Sequence, residues 1–171
     1  AVHGVTTEHA RRFGRPVAEV VAEITSALRS LLSQGVPVVA YNAAYDLTVL
    51  RSREPSFTVD GLVFDPLVID RDRDRYRKGK RTLGNVCEHY HVRLDNAHEA
   101  TADALAAARL AWMMSKKVWP ELAAMDGDEL MEYQAVAHFE NQRGLRDYLV
   151  KQGRDVSDFR ISAWPIDDPR G

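Results

Sequence analysis

The chain is nearly free of cysteine: Cys87 is the only one among 171 residues. One thiol cannot close an internal disulfide, which excludes a disulfide-stapled fold and fits a reducing compartment. The expected localisation is therefore cytoplasmic. Long apolar runs are missing as well. No stretch approaches the roughly 20 apolar residues a helix needs to cross a bilayer, so no membrane span is expected. The opening "AVHGVTTEHA" is not a charged segment followed by an apolar core, so no signal peptide is read there. The first residue is Ala1 rather than methionine, and we expect a processed or incomplete product. Repeats and low-complexity linkers are also lacking. That leaves one domain, 1–171, with residues 1–118 holding the motifs and 119–171 a C-terminal helical extension and tail.

A strong charge of one sign is lacking too. The net charge of −2 excludes a uniformly basic nucleic-acid binder. The distribution is uneven, however. "RDRDRYRKGKR", residues 71–81, holds seven Lys/Arg and two Asp, while the remainder holds 16 Lys/Arg against 23 Asp/Glu. A basic loop on an acidic body can steer a polyanion to one place. The same loop can instead be a solvated segment whose Asp and Arg side chains pair internally. Arg75, Arg77, Lys78, Lys80 and Arg81 are the candidate phosphate contacts, with Arg75, Lys80 and Arg81 foremost.

Apolar periodicity orders the elements. Val17, Val20, Val21, Ile24, Leu28, Leu31 and Leu32 predict an amphipathic helix over 17–34, opened by Pro16 and stopped at Gly35. "VPVVAYN", 36–42, is a β-branched run suited to a strand buried on both faces. "AAYDLTVLRS", 43–52, resumes helical spacing. "LVFDPLVID", 62–70, predicts a strand broken by Pro66 and ending near Asp65. Thr82 is a helix N-cap, residues 99–118 form an Ala-rich helix, and Asp126 or Asp128 caps a last helical region interrupted at Gly144. A short strand or packing segment is expected around Trp164. Only two strands read clearly, too few to anchor five helices. Strand and helix alternation predicts an α/β sandwich.

Asp46 opens a helix directly after a buried strand, which puts a carboxylate at the carboxyl edge of a sheet, where open α/β folds place their sites. It is equally a first-turn aspartate favoured by the helix dipole. Asn42 ends the strand and can hold the turn or touch a ligand. Tyr45 either packs against a base or faces the core. His98 and Asp103 bracket the start of the Ala-rich helix, so an imidazole base and a metal-ligating carboxylate can meet there. Glu99 competes as a plain first-turn carboxylate. Cys87 reads as a buried helix cysteine.

Taken in order, "VHGVT" (2–6), "VVAYNAAYDLTVL" (38–50), "FDPLVIDRDRDRYRKGKRTL" (64–83) and "AHEATADALAAARLAW" (97–112) resemble the DEDDh class of 3′–5′ exonucleases. That class includes proofreading subunits of replicative polymerases and RNase T. The resemblance covers residues 1–112, and small standalone actinobacterial and phage exonucleases are the nearest likeness. It implies a ribonuclease-H-like three-layer sandwich. It implies hydrolysis at a nucleic-acid 3′ end, DNA before RNA, with release of nucleoside 5′-monophosphates by two Mg²⁺ or Mn²⁺ ions about 4 Å apart. Asp46 and Asp103 match the second- and third-motif metal ligands, and His98 the histidine that activates water. A DNA polymerase is an implied partner.

Two departures stand out besides Tyr41, which replaces the histidine many members carry. The Asp-x-Glu of the first motif is absent upstream of "YNAAYD", and the helix after Asp46 stops early. With half its carboxylates the chain is expected to lack its first strands and to be inactive alone, unless a complementing N-terminal fragment supplies them. The alternative is a non-catalytic ribonuclease-H-like module that binds nucleic acid or a polymerase. A His/Asp metal phosphohydrolase is disfavoured, since no His-Asp dipeptide occurs.

Overall fold

Two apolar pairs, Val38–Val39 (β1) and Val63–Phe64 (β2), form the sheet. They run parallel, Val38 opposite Val63 and Val39 opposite Phe64. A parallel pair needs a crossover, and the helix Ala43–Arg53 (α3) supplies it. The computed structural model describes residues 5–95 and 99–167. Its other helices are α1 (Thr7–Phe13), α2 (Val17–Ser33), α4 (Pro66–Arg73), α5 (Leu83–His89), α6 (Ala100–Met113) and α7 (Gly127–Lys151), with a π turn at Met114–Val118 and a 3₁₀ turn at Pro120–Ala123.

Successive strand residues point to opposite faces, and each face has its own core. Val39 and Phe64 join Ile69, Val86, Leu110 and Met114. Val38 and Val63 join Leu47, Phe57, Val68 and Trp164. The alanines of α6 explain its close approach: Ala106 and Ala107 are buried with Leu110 where the helix packs near β1.

The ribonuclease-H-like three-layer sandwich is not what forms. The described residues are mostly helical and carry one two-stranded sheet. The reason is local. Val36, the next residue whose amide would face β2, donates to the Leu31 carbonyl instead, and Asn42 leaves extended space at φ 66°, so β1 is not lengthened at either end. Asp65 and Pro66 end β2 by starting a helix. Pro66 sits at N1, where its missing N–H costs nothing, and the Asp65 side chain accepts from the Leu67 amide at 3.0 Å. The predicted strand end is thus a helix start. Gly144 does not interrupt α7, which runs unbroken to Lys151. No strand forms at Trp164.

β1 has a second edge. Val38 and Ala40 donate to Leu62 and Phe64, so Val39 faces its backbone groups the other way. Among the described residues no strand pairs there. The apolar stripe of α2 is uncovered as well: Leu32 is buried, but Ile24 is 42% and Leu31 41% exposed. No helix among the described residues is long and apolar enough to cross a membrane.

Candidate functional site

The turn between β1 and α3 is held from below by one buried carboxylate. Asp65 accepts from the amides of Asn42 (2.9 Å), Ala43 (2.8 Å) and Leu67, and from the Trp164 indole (3.3 Å). Burial pushes its carboxyl above the usual range, and the four donors oppose that. The amides need the acceptor because Asn42 turns through left-handed space, which Asn tolerates better than most residues. Gln134 of α7 completes the scaffold, accepting from the Asp65 amide and donating to the Val63 carbonyl. Sequence reasoning missed Asp65 and Gln134. The "DP" pair was the available signal, since Asp before a helical Pro is an N-cap.

This junction aims Asp46 outward from the first turn of α3. The surrounding protein removes enough water to hold its carboxyl above the ordinary carboxylate range. Asp103 lies half-exposed in the first turn of α6. It stands near Cys87, whose buried thiol is pushed up to about 11, first by burial and then by the Asp103 charge. Cys87 also acts on Tyr41, the residue leading into the α3 turn. Asp103 and Tyr41 thus share Cys87 as an electrostatic neighbour. Glu99 is occupied as the α6 cap, accepting from Thr101 and Ala102. His98 lies outside the described residues.

These donors do not by themselves fit a pair of divalent cations. Among the described residues no three His, Cys, Asp or Glu side chains converge as a cage, and Mg²⁺ requires near-octahedral oxygen ligation. Asp46 and Asp103 are two carboxylates on separate helices, and further acidic ligands would be needed to complete a site.

The basic loop has an interior. Asp70 is fully buried; Arg77 grips both its oxygens at 2.5 and 2.7 Å, Arg81 approaches at 2.6 Å and the Tyr90 hydroxyl at 2.8 Å. Arg81 is thus engaged inside the fold rather than presented to a phosphate. Its side chain is only 12% exposed, and it also donates to three backbone carbonyls. Lys80 stays exposed, and Arg75 reaches Asp72 at 3.3 Å with most of its side chain in solvent. The tyrosine at position 41 is tied down too, its hydroxyl donating to the Arg81 carbonyl at 2.7 Å.

Beside the outer face of α3 opens a groove of about 1130 Å³ between α3, α4, α7 and the tail. Asn42 and Tyr45 line one wall, Arg71 and Arg75 another. Tyr45 faces solvent rather than the core, 68% exposed. His138 sits on the third wall, its ring 3.1 Å from Ser162 Oγ, and burial pushes its pKa down. The tail is pinned by Asp167, whose amide donates to Thr48 Oγ1 at 2.8 Å and whose carboxylate takes Arg160.

No family model, no characterised protein and no solved structure matches the chain.

Proposed function

We propose that this chain is the part of a divalent-cation-dependent 3′–5′ exonuclease that supplies Asp46, Asp103 and His98. The observation that supports the reading best is that Asp46 and Asp103 each stand in the first turn of a helix with water in reach. The reaction is attack of water on the terminal phosphodiester. A P–O bond forms to water, the P–O3′ bond breaks, and the released 3′ oxygen takes a proton. The product is a nucleoside 5′-monophosphate, and DNA is the expected substrate. The remaining acidic ligands come from a segment that pairs with the free edge of β1 and covers Ile24 and Leu31 of α2. The compartment is the cytoplasm, and a DNA polymerase is the expected partner.

The test is trimming of a 5′-labelled oligonucleotide in Mn²⁺ by the protein from its complete reading frame. A ladder shortening from the 3′ end, with 5′-monophosphates released, is expected. Salt-dependent binding with no trimming would contradict hydrolysis. That result would favour the second reading, a module that holds nucleic acid or a polymerase without cutting.

A further inference from the structure

We propose that the groove between α3, α4, α7 and the tail binds single-stranded nucleic acid. Tyr76 and Tyr45 act as stacking faces, and Arg71 and Arg75 contact phosphates. The proposal rests on the exonuclease reading only for the class of ligand; the groove itself is lined by Tyr45 and not by Asp46.

Three tyrosines ring this one cavity with their faces in water. Tyr76 is 90% exposed, Tyr45 68% and Tyr148 57%. Rings exposed to that degree contribute little to the fold, but they offer flat surfaces to other rings. Every nucleobase has such a face, so stacking tolerates any sequence. Bases paired inside a duplex cannot reach these rings, which selects unpaired strands.

The charges fit a phosphate chain of modest grip. The carboxylates on the walls are occupied: Asp72 by Arg75 and the Tyr133 hydroxyl, Glu140 by Arg143, Asp167 by Arg160. Arg71 has no hydrogen-bond or ion-pair partner among the described residues, yet its charge lowers the pKa of His138 across the groove. Its guanidinium is the positive charge left over. Arg75 holds Asp72 at 3.3 Å with its side chain 58% exposed, and an exposed pair of that kind exchanges easily for a phosphate. The groove, about 1130 Å³, is open to solvent, as an extended strand requires.

Fluorescence anisotropy with labelled oligo(dT) and oligo(U) tests this in EDTA, where no hydrolysis occurs. The chain should bind a single strand more tightly than the matching duplex. Two phosphate contacts at about −0.7 each give a log K against log salt slope of about −1.4. Tyr76→Ala should weaken binding about fivefold or more with an unchanged melting temperature, and Arg71→Gln should flatten the slope by about 0.7. Preference for oligo(dT) or oligo(U) tells DNA from RNA, and either supports the groove. Equal affinity for duplex, or unchanged affinity in both variants, overturns it. If trimming by the complete protein persists in that case, the exonuclease reading stands and the groove alone is wrong. Strand-selective binding with no trimming by the complete protein upholds the groove and removes the exonuclease reading.

Discussion

Four aspartates in or capping α3, α4 and α6 divide into two pairs with opposite surroundings. Asp65 and Asp70 are buried, and each side chain accepts four hydrogen bonds. Asp46 and Asp103 sit in first helical turns and keep access to water. A carboxylate with its acceptor sites filled holds backbone and guanidinium groups in place and has nothing left for a ligand. One that keeps solvent access can exchange water for a metal or a substrate group. Asp65 thus builds the β1–α3 turn and Asp70 the basic loop, while Asp46 and Asp103 are displayed to water at helix starts.

Substitutions at the buried pair should break the fold. Asp70→Ala leaves Arg77 and Arg81 facing one another in a nearly dry site, and removing one partner of a buried ion pair costs about 3–5 kcal/mol. Chemical denaturation should show that loss in full. Asp65→Ala removes an N-cap and strands the Asn42 and Ala43 amides. About 2–4 kcal/mol is expected, from a cap loss of up to ~2 plus unsatisfied donors. A loss below about 1 kcal/mol at both sites would remove the distinction between the pairs.

A smaller effect sharpens the comparison at the tail. Arg160 holds the Asp167 carboxyl below the usual carboxylate range. A depressed folded pKa contributes stability above the unfolded value, and that contribution is lost as pH falls through the folded one. Arg160→Gln should therefore lower the melting temperature slightly near neutrality, a small effect because Arg160 is half in solvent. The gap between variant and parent should close below about pH 4, where the unfolded carboxyl protonates. A gap independent of pH would show that packing, not the ion pair, fixes the tail.

Much of the helical framework is legible in the sequence. Thr82 and Asp126 cap the helices their positions predict, the latter in a full capping box with Glu129. The α2 and α3 boundaries fall within a residue or two of the apolar periodicity. Other features are hidden because the signal is tertiary. Pro66 reads as a strand breaker until Asp65 is seen accepting its neighbours' amides. Gly144 reads as a helix stop, but its φ is not in the left-handed region and the surrounding space is open, so the helix passes through it. The three-layer sandwich fails because alternation of elements cannot show that the Val36 amide is taken by Leu31 and that Asn42 and Asp65 turn the chain away, leaving each strand two residues. In the basic loop, composition cannot show that Arg77 and Arg81 turn inward: Asp70 lies in an apolar run, and nothing local marks it as their partner. The Asp46 and Asp103 helix positions are legible from caps and spacing, whereas the groove beside α3 depends on the tail folding back.

The most direct test of this division is a paired measurement on the complete protein: 3′-end trimming rate and melting temperature for Asp46→Asn and Asp103→Asn. Because the folded pKa of Asp46 is raised, its ionised form costs stability above that pKa, so Asp46→Asn should melt no lower than the parent at neutral pH. Trimming should fall by about 100-fold or more in each variant, a loss of at least ~2.7 kcal/mol in the barrier. Trimming at the parent rate with melting unchanged would show that the displayed pair does no chemistry, and would contradict the account.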